Sequence, residues 1–317
     1  MTKLPSPPSK TKRVRPTDQT MASKRDRNND WAIKIENSSS LRTIVETVQH
    51  VVSRATFKIE SKGDGYYLSV NTADVAYVSV IKVLLRLDSA TLPTDSTEIK
   101  FCVDCKDLSF CINDLDPGHM VQLEGFGSSA NPKVFVHTTD PDYPAYEEDN
   151  ELKTYVDTDN VQLMNMQFDV IMDLEFPLLR RLLKKAVAIK AENMTLRVWV
   201  KDDMSRIDYC VNGEIKHRRA FCHPIKKSSD GSICCRAASD GGNQIFSVDG
   251  MDPIFEGTFC VEKISGFVKP LHTKMLHAVT KKEAGAPIMF EYPIGGEAES
   301  ESKIFFLLAQ VTDENEE

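Results

Sequence analysis

Apolar positions begin to recur regularly at Trp31. The run WAIKI alternates as a strand does, and after Ser38, Ser39 and Ser40 the residues Leu41, Ile44, Val45, Val48 and Val52 return every three or four positions. That spacing predicts an amphipathic helix of about four turns. Alternating or β-branched runs follow at 55–59, 66–70, 75–87 and 98–103, separated by Gly, Asp, Asn and Pro. A second, short helix is predicted over 105–112, then strands over 120–125 and 133–137. Residues 138–160, with TTDPDYPAYEEDNE, break the pattern and read as an exposed acidic connector.

After the connector the order returns. A strand at 167–174 leads into a helix at 176–190, and strands follow at 194–200, 205–211 and 218–222. A loop-rich stretch holds short runs at 232–237 and 244–248. A last helix at 261–271 and strands at 275–279, 288–292 and 304–311 close the pattern. Two halves with one element order imply a duplicated α+β unit, in which two helices cover one face of a curved antiparallel sheet. The expected division is a first domain at 31–150, a connecting loop at 151–166, a second domain at 167–311 and an acidic tail at 312–317.

Residues 1–30 hold four prolines and almost no large apolar side chains, so they are expected to form a disordered tail. They carry eight Lys or Arg against three Asp, a net +5, which leaves about −13 for the rest of a chain whose total is −8. The clusters at 10–15 and 24–27 suit nuclear import, weak nucleic-acid contact or plain solubility. No apolar run approaches the roughly 20 residues of a membrane span, and the opening residues lack a secretory signal, so a soluble intracellular protein is expected.

The chemistry-bearing residues point away from catalysis. No glycine-rich phosphate loop, nucleophile elbow or HExxH occurs, and the seven histidines show no metal spacing. The eight cysteines read as reduced thiols, and Cys102 with Cys105 makes a CxxC that no second pair completes. Neither an enzyme, a cofactor nor a metal is expected.

The informative segment is FPLLRRLLKKAVAIK at 176–190. On a helix, Leu179, Leu182, Leu183 and Ala186 form the apolar stripe while Arg180, Arg181, Lys184 and Lys185 project from the flanks and far side. Arg42 and Arg54 around the first helix, Lys106 at the second, and Lys263 and Lys269 at the last add cations. An acidic protein with Lys and Arg gathered on its helices is charged to hold a polyanion on one surface. Phosphate contacts of that kind carry no base sequence.

Ordered segments resemble the proliferating cell nuclear antigen (PCNA) family of DNA sliding clamps over about 31–317. LRTIVETVQHVV (41–52) looks like the first clamp helix, and VNTADVAYVSV (70–80) like the strand and central loop after it. APIMFEY (286–292) and FFLLAQV (305–311) look like the clamp C-terminus. The resemblance implies two like domains per subunit and three subunits closed head to tail around double-stranded DNA, with helices lining the hole. It implies an edge pairing of the strand carrying Val134, Phe135 and Val136 with one carrying Ile207, Tyr209 and Val211 of the next copy. It also implies a groove for PIP-motif proteins, DNA polymerase and clamp loader, built from Val70, Asp74, Val75, Tyr77, Val161, Leu163, Pro287, Phe306, Leu307 and Ala309.

The sequence departs from the family pattern at several of these places. Asp74 stands where histidine is common, Ala309 where proline is, Phe110 and Asn113 where lysines face DNA, and Glu262 where the last helix offers arginine. With the basic tail and an enlarged 213–256 region, these departures suit a divergent or viral clamp better than a standard cellular one. The expected location is the nucleus or a viral replication compartment. A checkpoint-type heterotrimer subunit and a monomeric viral processivity or transcription factor are the alternatives. No membrane partner is expected.

Overall fold

The computed structural model describes residues 31–63, 65–94, 96–116, 119–126, 133–139, 147–156, 161, 167–228, 231–239, 245–295 and 300–311. The expected tails at 1–30 and 312–317 lie outside these residues. In the first half the elements are β1 (Trp31–Ile35), α1 (Ser38–Gln49), β2 (Arg54–Lys62), β3 (Gly65–Ala73), β4 (Ser79–Arg86), β5 (Ser89–Thr91), β6 (Glu98–Asp104), α2 (Cys105–Ile112), β7 (Met120–Phe126), β8 (Lys133–Thr139), β9 (Glu147–Leu152) and β10 (Thr154–Tyr155). The second half has β11 (Val170–Glu175), α3 (Phe176–Ala188), β12 (Asn193–Lys201), β13 (Met204–Asn212), β14 (Lys216–Pro224), β15 (Lys226–Lys227), β16 (Ile233–Ala237), β17 (Phe255–Cys260), α4 (Val261–Val268), β18 (Met275–Thr280), β19 (Ile288–Pro293) and β20 (Lys303–Leu308).

Local chemistry sets the helix starts. The Asn37 side chain accepts from the Ser39 N–H at 3.0 Å and caps α1, one residue before the serines that the sequence suggests. Asp104 does the same for α2 through the Lys106 N–H at 2.8 Å. Pro177 occupies the first turn of α3, where its missing N–H leaves no bond unmade. The predicted stripe Leu41, Ile44, Val45 and Val48 is buried, as are Leu179, Leu182, Leu183 and Ala186 on α3.

A mixed α+β architecture results. An eleven-stranded sheet runs β10-β6-β2-β3-β4-β20-β19-β18-β11-β16-β15 and therefore passes through both halves. Its midpoint is the antiparallel junction of β4 with β20, from Leu84 opposite Lys303 to Ser79 opposite Leu308. A five-stranded sheet, β5-β1-β7-β8-β9, flanks the first half, and a four-stranded one, β14-β13-β12-β17, flanks the second. The helices pack side by side, α2 on α1, α1 on α4 and α4 on α3. Each half has its own aromatic centre. Phe101 stacks between Trp31 (5.1 Å) and Phe57 (5.5 Å) in the first, and Phe267 stacks on Phe306 (4.6 Å) beside Phe290 in the second.

Several expectations change. The strand expected from 75 starts at Ser79, because the 74–78 segment turns under hydrogen bonds to Asp74. The supposed connector holds β9 and β10, so the expected domain end at 150 falls inside β9. An edge strand can keep acidic side chains in water while its backbone pairs on one side. The sheet is not wholly antiparallel, since β16 runs parallel to β11. The described part of 244–248 forms no strand. It lies in a segment hydrogen-bonded to the outer side of β12 and β13: Arg206 donates to the Phe246 carbonyl at 2.7 Å, and the Trp199 indole to that of Met251 at 3.3 Å.

Candidate nucleic-acid interface, docking loop and open edges

The helix layer carries the cations on its free side. Arg181, Lys184 and Lys185 are exposed on α3, opposite its buried stripe, while Arg180 is half-buried with its guanidinium 5.7 Å from the Phe176 ring centre. Lys106 is exposed at the start of α2 and Lys269 at the end of α4. Between α1, α3 and α4 lies a concavity of about 1030 Å³ lined by His50, Lys190, Glu262, Lys263 and Lys269. Burial, then the neighbouring Lys269 charge, holds the His50 pKa below its ordinary value. The sequence reading did not single out Lys190, although it ends the same cationic run; it bonds Glu214 at 2.7 Å.

Three other expected DNA-facing cations are placed differently. Arg42 donates to the carbonyls of Ile112 (3.2 Å) and Leu115, which closes the C-terminal end of α2 against α1. Arg54 lies on β2, not a helix, with its guanidinium 3.8 Å from the Tyr155 ring centre. Lys263 reaches from α4 to Asp74 at 2.8 Å.

The residues expected to form the partner groove separate into three groups. Val70 and Phe306 are core, each 1% exposed, because their alternating positions face the helices. Asp74 is also buried and accepts from the Val78 N–H (2.9 Å), the Ser79 N–H (3.2 Å), the Ser79 hydroxyl (2.9 Å) and Lys263. Val75 and Tyr77 stand in solvent at 99% and 63% exposure, and Tyr77 adopts a left-handed φ of 55°. A non-glycine residue in that region is held at a cost by its surroundings, here the Asp74 bonds. Val75, Tyr77, Val52, Arg54 and Val161 line a recess of about 260 Å³.

Pro287, Leu307 and Ala309 are half-buried, and the Ala309 N–H donates to the Val78 carbonyl at 2.8 Å, beside the same loop. Leu163 lies outside the described residues. Among the described residues no group of three or more His, Cys, Asp or Glu could hold a metal ion, and no helix is long and apolar enough to cross a membrane.

The strands expected to join copies are interior ones. β8, which carries Val134, Phe135 and Val136, pairs with β7 on one side and β9 on the other. β13, with Ile207, Tyr209 and Val211, lies between β12 and β14. Neither strand has a free backbone edge, so the residues expected to pair between copies do not lie on an edge. The long strands ending the two flanking sheets are β9 and β14. The far edge of β17 is instead met by the Val311 N–H, which donates to Thr258 at 2.8 Å.

Four helices lie side by side beneath a sheet that crosses both halves, and among the described residues β9 and β14 each leave one long edge unpaired. No family model and no curated protein matches the chain. Among solved structures it is similar to the proliferating cellular nuclear antigen of Entamoeba histolytica, with a TM-score of 0.66 and 16% identity over 90% of this chain and 100% of that one. It is also similar to a chain of the PCNA2–PCNA3 complex of Sulfolobus tokodaii, with a TM-score of 0.64 and 12% identity over 88% and 98%. The fold is the PCNA-like clamp fold in divergent form.

Proposed function

We propose that the chain is a non-enzymatic DNA sliding clamp, a nuclear or viral processivity factor whose two domains, the first ending with β10 at Tyr155 and the second running from 167 to 311, repeat three times around duplex DNA. The observation that carries this reading is the continuous helix layer, whose free side gathers Lys106, Arg181, Lys184, Lys185 and Lys269 on a chain that is acidic overall. Cations gathered on the free side of the helices meet phosphates without reading bases, which a protein that must slide requires. The exposed loop bearing Val75 and Tyr77 supplies the docking point for polymerase, loader and PIP-motif proteins, apolar anchors being what such contacts favour.

The test is retention on DNA. After loading by its cognate loader, the protein should stay on a nicked circular plasmid and leave when the plasmid is linearised. Changing Arg180, Arg181, Lys184 and Lys185 to Ala should lower polymerase stimulation and reduce the salt slope of DNA binding by roughly 3 to 4, while assembly persists. Equal retention on circular and linear DNA would refute the clamp, and unchanged stimulation would refute the role of α3.

A further inference from the structure

The two open strands carry opposite charge. β9 reads EEDNEL, with four carboxylates and no cation, and β14 reads KHRRAFCHP, with three Lys or Arg, two His and no carboxylate. The opposition holds on both faces of the strands. On the outer face Asp149 and Glu151 of β9 correspond to Lys216 and Arg218 of β14. On the helix-facing side Glu148, in phase with buried Leu152, corresponds to His217 and Arg219, in phase with buried Phe221.

Contacts within the chain neutralise only part of this. Lys133 reaches Glu151 at 3.4 Å, His137 contacts both Asp149 and Glu124, and Arg218 is drawn to Asp208, which Arg206 also holds. Lys216 and Arg219 stay exposed.

We infer that these charges encode self-assembly: the acidic β9 of one copy pairs antiparallel with the basic β14 of the next. The inference rests on the head-to-tail ring proposed above and names what selects it. Backbone groups on an open edge accept any strand, so they cannot by themselves distinguish β9–β14 from β9–β9 or β14–β14. Charge does distinguish them. Like edges would press carboxylates on carboxylates or cations on cations, which excludes the two-fold dimer and leaves the heterologous contact that closes into a ring. Assembly should therefore weaken with salt more steeply than a seam joined by backbone bonds and apolar contacts alone.

The experiment is light-scattering molar mass of the full chain with one edge or both edges reversed. Glu148→Lys, Asp149→Lys and Glu151→Lys together take the β9 edge from −4 to +2, so that both edges are basic, and Lys216→Glu with Arg219→Glu takes the β14 edge from +3 to −1, so that both are acidic. Arg218 is spared because it holds buried Asp208. Each single-edge variant should fall to the 35.6 kDa of one chain, and the variant with both edges reversed should regain the wild-type mass without mixing with wild-type chains. The milder Glu148→Gln with Glu151→Gln pair should raise the dissociation concentration at least tenfold and flatten its salt dependence.

Single-edge variants with wild-type mass and salt response would overturn the inference. So would a folded double-reversal variant, judged by circular dichroism, that remains a single chain. These readouts concern assembly alone. A charge-keyed ring that leaves circular DNA as fast as linear DNA would refute the clamp and not the code, and a clamp insensitive to these reversals would do the opposite.

Discussion

Replacing Asp74 tests how the central loop is held. Its carboxylate is 7% exposed, and it collects two backbone N–H groups, a hydroxyl and an ammonium within 3.2 Å. Asp74→Ala leaves the N–H and hydroxyl of fully buried Ser79 without their acceptor, and unpaired buried groups cost about 1–3 kcal/mol each. The Lys263 side chain is one-third exposed at 33% and can turn to water, so its bond adds less than about 1 kcal/mol. The sum is a loss of roughly 2–6 kcal/mol in urea unfolding. Asp74→Asn keeps the Oδ1 acceptor for the Val78 and Ser79 N–H groups but puts an NH2 donor where Oδ2 accepts the Ser79 hydroxyl and Lys263, so it should cost less than Asp74→Ala, about 1–3 kcal/mol.

The pH dependence has a defined sign. Burial pushes the Asp74 carboxyl up, but Lys263 and the Ser79 N–H and hydroxyl together bring it below its ordinary 3.8. The unfolded chain then binds the proton more tightly, so this contribution is complete above the ordinary value and is lost as the pH falls through the folded one. Asp74→Ala should lack that part of the acid response. A variant within about 0.5 kcal/mol of wild type, the usual range for plain surface changes, with an unaltered acid profile would refute the account of the loop.

Two further outcomes follow from the same structure. Phe306→Ala should cost about 3–5 kcal/mol, because the ring is buried against Phe267 at 4.6 Å; wild-type stability with lost peptide binding would return Phe306 to the groove. The hydrogen bond from His277 to Asp173 at 2.7 Å raises the histidine pKa above 6.5 against the opposing effect of burial. That contribution is complete below 6.5 and fades as the pH rises through the raised value, and an NMR midpoint for His277 at or below 6.5 would contradict it.

What the sequence made legible were faces, not neighbours. The 105–112 helix coincides with α2, and the α1 and α3 stripes are buried as spaced, because one-sided burial writes a period into the chain. Alternation in a strand says which residues face the core but not which strand lies beside it, so β8 and β13 read as sheet edges although each is flanked by a strand on both sides. β9 itself was hidden, since five of its six residues are polar or charged. Charge likewise announces itself without direction. Nothing in the sequence tells that Lys263 turns to a carboxylate 189 positions away, or that Arg42 turns to the end of α2.

The β4–β20 junction has a consequence for synthesis. β4 is complete at Arg86, yet the strand that covers it begins at Lys303, so a ribosome must add more than two hundred residues before the central sheet can close. Throughout that interval the nascent first half presents a bare apolar strand, Ser79–Arg86, to any chain emerging nearby. Expression yield should therefore track how quickly translation reaches β20, and a chaperone that shields β4 should raise it more than any gain in final stability.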